Sequence, residues 1–145
     1  MDVVWLLLHS GAQLEAEGNG RQRPLHLAAT RGVLPIVIML LEKGANIDIR
    51  DAAGDSPLLL ATSRGHVEVV RAFLDRHAPI RAKFTAGPSH DDSPLCLAAR
   101  NGHAEVVTLL LSRGASVREK DEFDIGYRCD MLPIMVTLML LNDYS

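Results

Sequence analysis

"SPLCLAARNGHAEVVTLLLSRGA" occupies residues 93–115. It holds a thiol at Cys96, a guanidinium at Arg100, an amide at Asn101 and an imidazole at His103. Catalytic and metal sites are built from such groups. Small helical packing units also place them, at caps and loops. The rest of the chain separates the two readings.

Two earlier stretches share the layout: "RPLHLAATRGVLPIVIMLLEKGA" from Arg23 and "SPLLLATSRGHVEVVRAFLDRHA" from Ser56. Pro24 and Pro57, Gly32 and Gly65, and Gly11 and Gly44 are each 33 residues apart. Pro57 to Pro94 and Gly65 to Gly102 are both 37 apart, one period plus four residues. Repetition at such a period marks a repeat architecture, in which each unit buries its apolar face against the next.

Each unit reads as two short helices. Ser56 and Ser93 suit an N-cap, where the hydroxyl accepts from a free backbone N–H. Pro57 and Pro94 follow at the first helical position, where a missing N–H costs nothing. Ala98 and Ala99 allow close helix approach, and Gly102 ends the first helix. The second helix carries Val106, Val107, Leu110 and Leu111 as an apolar stripe, and Gly114 closes it at a position suited to positive φ. "GANIDIRDAAGDS", residues 44–56, alternates and then turns at Gly54, as a short hairpin does.

Together these motifs resemble the ankyrin repeat family, whose pattern contains T/S-P-L-H-x-A-A, G-H, paired leucines, G-A and a D-x-x-G hairpin tip. The likeness runs from about residue 3 to 120. It implies an all-α solenoid of stacked helix-turn-helix units with short β-hairpin fingers. The division expected is one domain over 1–145: a partial unit at 1–17, full units at 18–50, 51–87 and 88–120, and a diverged end at 121–145. The implied role is protein–protein recognition by a non-catalytic adaptor or scaffold, through a concave face and hairpin tips. The alternative is a substrate-docking or regulatory fragment of a larger multidomain protein.

Residue by residue, the family's partner-facing positions fall on Gln22, Arg31, Arg50, Asp55, Ser63, Arg64, Lys83, His90, Asp92, Arg100, Asn101 and Lys120. Two basic rows are expected, Arg31–Arg64–Arg100 at the first-helix ends and Arg50–Lys83–Lys120 at the finger bases. They point to an acidic or phosphorylated protein segment as partner. His103 repeats His66 in the inter-helix loop, and Cys96 takes the slot of His26 and Leu59. Packing therefore accounts for the polar residues of 93–115. No nucleophile elbow, phosphate loop or His-x-x-x-His pair occurs, so neither catalysis nor a cofactor is expected. "SHDDS", at 89–93, reads as turn chemistry rather than a metal site.

Departures from the pattern are local. Arg23 replaces the Ser/Thr cap, Gly18 replaces the aspartate seen at Asp51, and Pro35 opens the second helix of its unit. His77 stands where Gly44 and Gly114 stand, which predicts a strained or differently closed helix end. "FTAG" at 84–87 lengthens one finger. Trp5, Ile38 and the run 131–141 are apolar near the ends and predict self-association there. A truncated array or a spliced variant would explain both ends.

Bulk properties agree with this frame. The chain has 145 residues, 48% hydrophobic, 23% charged and only 4% aromatic, so Leu, Val, Ile and Ala must build its core. A net charge of −3 and scarce stacking aromatics disfavour nucleic acid. No apolar run reaches the ~20 residues that span a bilayer. Two cysteines without zinc-type spacing, and an N-terminus unlike a signal peptide, predict the cytoplasm or nucleus. Cys96 and Cys129 are 33 apart. Equivalent slots of packed units lie about 10 Å apart, beyond the ~7 Å Cα separation of a disulfide, so both are expected as free thiols.

Overall fold

The computed structural model describes residues 11, 13–80 and 93–115. Their helices are α1 (Pro24–Arg31), α2 (Leu34–Glu42), α3 (Pro57–Arg64), α4 (Val67–Asp75), α5 (Pro94–Arg100) and α6 (Ala104–Ser112). A 3-10 turn at Asn19–Arg21 precedes them. Each proline-led helix pairs with the helix that follows it. α1 also packs against α3 and α3 against α5, while α2 packs against α4 and α4 against α6. First helices thus form one row and second helices another.

The helix ends follow the sequence chemistry. Ser56 Oγ accepts from Leu59 N at 3.2 Å and Ser93 Oγ from Cys96 N at 3.3 Å. Arg23 carries no acceptor, so α1 is capped differently: Arg23 N–H donates to His26 Nδ1 at 3.1 Å. The Arg23 guanidinium turns back to Glu15 at 2.8 Å and Glu17 at 3.1 Å. Glu15 also accepts from Asn46 N at 2.8 Å, which ties the segment before α1 to the loop after α2. Pro35 sits in the first turn of α2, as expected. His77 adopts a φ of 60°, where the equivalent Gly44 and Gly114 have 91° and 89°. That helix end keeps the left-handed closure of the other two units with a side chain that disfavours it.

One apolar cluster runs through all three described units, including Leu25, Val37 and Leu40, then Leu58, Val70 and Phe73, then Leu95, Val107 and Leu110. Leu58 and Leu95 are 2% and 3% exposed. Truncating either to Ala should cost about 2–5 kcal/mol. A shift of under about half a kcal/mol in urea unfolding would show the register to be misplaced.

Two expectations change. No strand occurs among the described residues; the finger at 51–55 is a tight turn, with backbone bonds from Gly54 N to the Asp51 carbonyl at 3.0 Å and from Asp51 N to the Asp55 carbonyl at 3.1 Å. Asp51 Oδ1 accepts from Ala53 N and Asp55 N, both at 2.9 Å, so local Asx bonding takes the place of a ladder. The second change is at Cys96, which is disulfide-bonded rather than a free thiol. The free-thiol expectation took the regular stack spacing of about 10 Å between equivalent slots, an assumption about the register of a segment outside the described residues. Cys129, Trp5 and the run 131–141 lie outside the described residues, as do 84–87. Ile38 is half-buried rather than exposed.

Candidate partner-binding face

The first helices are held in register by one histidine per junction. His66 Nε2 donates to the Thr30 carbonyl of the preceding unit at 2.9 Å, and His103 Nε2 donates to the Ser63 carbonyl at 2.9 Å. Each ring lies over a glycine that ends the previous first helix. A Cβ on Gly65 would meet the His103 ring at 2.6 Å, and one on Gly32 would collide with the His66 ring in the same way. His66 and His103 therefore act as spacers between units.

This register sets Arg31 and Arg64 side by side, each the last residue of its helix. Both are exposed, and neither forms an ion pair among the described residues. One turn earlier on the same face lie Leu27 and Leu60. Leu27 is 48% exposed; Leu60 is half-buried, as is Leu97 in the third unit. The sequence reading missed this apolar row. Its signal was available: Leu27, Leu60 and Leu97 each lie four residues before a partner-facing position.

The third unit departs from the expected arginine row. Gly102 is the counterpart of Gly65, so the counterpart of Arg64 is Asn101. Arg100 instead corresponds to Thr30 and Ser63, about 100° further round the helix. Asn101 Nδ2 donates to the Ser63 carbonyl at 3.1 Å, close to Ser63 Oγ at 3.4 Å. Ser63 and Asn101 thus serve the junction between units, and the basic row consists of Arg31 and Arg64 with Arg100 displaced from it.

At the fingers, Gln22 is half-buried and its carbonyl accepts from Gly18 N at 2.7 Å, matching the Asp55 carbonyl and Asp51 N at 3.1 Å one unit later. Successive tips are joined by Ala52 N–H donating to the Gly20 carbonyl at 2.8 Å. Arg50 is half-buried and partly committed to its own finger, with Nη1 donating to the Gly54 carbonyl at 3.2 Å and Nη2 3.5 Å from Asp48. Lys83, His90, Asp92 and Lys120 lie outside the described residues. Among the described residues, no group of three or more His, Cys, Asp or Glu side chains gathers as a metal would need. Nor is any helix long and apolar enough to cross a membrane.

His26 locks the first finger to the second. Fully buried, it accepts at Nδ1 from Arg23 N, so Nε2 carries the proton and donates to the Asp55 carbonyl at 3.1 Å. Burial holds its pKa below the ordinary 6.5, against the opposing pulls of the Asp55 carbonyl and the Asp51 carboxylate. The unfolded chain therefore takes up a proton first as pH falls. The contribution of His26 to stability is complete above about 6.5 and is lost below it, down through the folded-state value. His26→Leu, which copies Leu59, should be less stable at pH 7.5 and lose less stability than the wild type on going to pH 5.5. Equal pH slopes in urea unfolding would remove His26 as the source.

The match to known families agrees with this geometry. No curated protein matches the chain. A family model described as ankyrin repeats (3 copies) matches residues 25–121, about two thirds of the chain. That span takes in the six helices of the described residues except for Pro24 at the start of α1, and the chain belongs to the ankyrin repeat family.

Proposed function

We propose that the chain is a non-catalytic adaptor or scaffold that binds a protein partner on the face made by the first-helix ends and the fingertips. Ankyrin repeats generally mediate protein–protein interaction. In this reading the units 18–50, 51–87 and 88–120 continue as a solenoid, with 1–17 and 121–145 as its ends. The first-helix row lies on its concave side.

The observation that carries the reading is the pairing of exposed Arg31 and Arg64 beside exposed Leu27. Two cations held one unit apart, with no carboxylate spent on them among the described residues, favour an acidic or phosphorylated protein segment. Arginine's planar fork suits such groups better than an ammonium does. Arg100, Gln22, Asp55 and the finger positions Arg50, Lys83, His90, Asp92 and Lys120 would contribute at the edges of that surface.

The test is partner capture by the full chain, with wild type beside Arg31→Glu/Arg64→Glu. Charge reversal at exposed sites should leave the melting midpoint within about 2 °C, because surface charges contribute little to stability. The captured protein should be lost or its association slowed, with a weaker salt dependence. Capture indifferent to the double reversal would move the recognition surface elsewhere.

A further inference from the structure

Resting on that reading, we propose that the segment recognised is an acidic polyproline II helix with a carboxylate at every third residue. Arg31 and Arg64 are equivalent residues of packed first helices, whose axes lie about 8–10 Å apart. The His66–Thr30 bond fixes these two ends together. A ligand side chain reaching both arginines must therefore repeat on one side at about that distance.

A polyproline II helix repeats every three residues with a rise of about 3.1 Å each, so i and i+3 face the same way about 9.3 Å apart. A β-strand repeats at about 6.6 Å on one face, too short for one step and too long for two. An α-helix reaches about 10.5 Å between i and i+7, but it leaves i+3 and i+4 on the same face between them. Charge fixes the carboxylates on the arginines.

The apolar row fixes the adjacent face. Leu27 and Leu60 lie one helical turn, about 6 Å along the helix axis, from Arg31 and Arg64. A slim three-faced ligand can seat its carboxylates on the arginines and its prolines or other apolar residues on the leucines. Three donors or more are not required of the site: Arg31 and Arg64 define the pitch, and in the third unit Asn101 is already turned to the Ser63 carbonyl.

The probes are two peptides of equal charge, (Glu-Pro-Pro)4 and (Glu-Pro-Pro-Pro)4, titrated against the full chain at low salt. The three-residue spacing should bind about tenfold tighter, or 1.4 kcal/mol. Arg31→Glu/Arg64→Glu should lose that preference and instead bind (Lys-Pro-Pro)4. Equal affinity for the two spacings, or tighter binding of a helical peptide with Glu at i and i+7, would overturn the spacing inference. If that binding still depends on Arg31 and Arg64, the recognition face itself stands. Partner capture that ignores the double reversal would instead remove the face, and the spacing with it. Arginine-dependent binding to phosphatidylserine vesicles in preference to either peptide would identify a lipid surface and also overturn the proposal.

Discussion

Replacing Phe73 with Ala is expected to lower the unfolding free energy by about 3–5 kcal/mol. Phe73 lies on α4, fully buried, and is the largest of the fully buried side chains among the described residues. Its helix packs against α2 on one side and α6 on the other, so a cavity there loosens two junctions at once. The equivalent slots hold Leu40 and Leu110, 1% and 0% exposed. Phe73→Leu therefore copies the neighbouring units and should cost less than about 1.5 kcal/mol. Urea unfolding at constant m-value reads both changes. A loss below about 1 kcal/mol for the alanine would show that the second-helix row is not a continuous core.

Gly65→Ala should cost about 2–4 kcal/mol, the left-handed backbone and the overpacking each adding part. Gly65 has a φ of 75°, and its new methyl group would meet the Nδ1, Cε1 and Cγ atoms of His103 at 2.6–2.9 Å. Cγ is bound directly to the side chain's root, so the ring cannot swing clear without giving up the Ser63 carbonyl. Gly102 supplies the control. It has a φ of 76°, with nothing within 4 Å of an added Cβ among the described residues. Gly102→Ala should lose only the backbone part, about 1–2 kcal/mol. Equal losses at the two glycines would mean that His103 does not space the units.

Much of this arrangement was legible because periodic residues carry its geometry. The serine caps, the prolines at helix starts, the leucine pairs and the His-on-Gly loops recur in register, and each has a local cause. What escaped depended on angle or on long-range partners. The three-arginine row was counted from the helix ends, where Arg31, Arg64 and Arg100 all stand; counted from the closing glycines, Arg100 is one residue before the position of Arg64, and one residue on a helix is about 100°. Ser63 and Asn101 read as free surface positions, yet their bonds cross 38 residues of chain. Arg23 looked like a missing cap; its carboxylate partners Glu15 and Glu17 come from the preceding partial unit, eight and six residues back in the chain. The strand expectation at 44–56 rested on alternation, whereas Asp51 bonds the turn to itself.

Recognition by the first-helix face can be read out by site-specific photo-cross-linking in cells. A photoreactive phenylalanine analogue at Leu27 stands beside Arg31 on that face. The same analogue at Thr108, exposed on α6, probes the second-helix side. The expected result is a cross-linked protein from position 27 that disappears with Arg31→Glu/Arg64→Glu, and none from position 108. A cross-link from position 108 that survives the double reversal, with none from position 27, would contradict it.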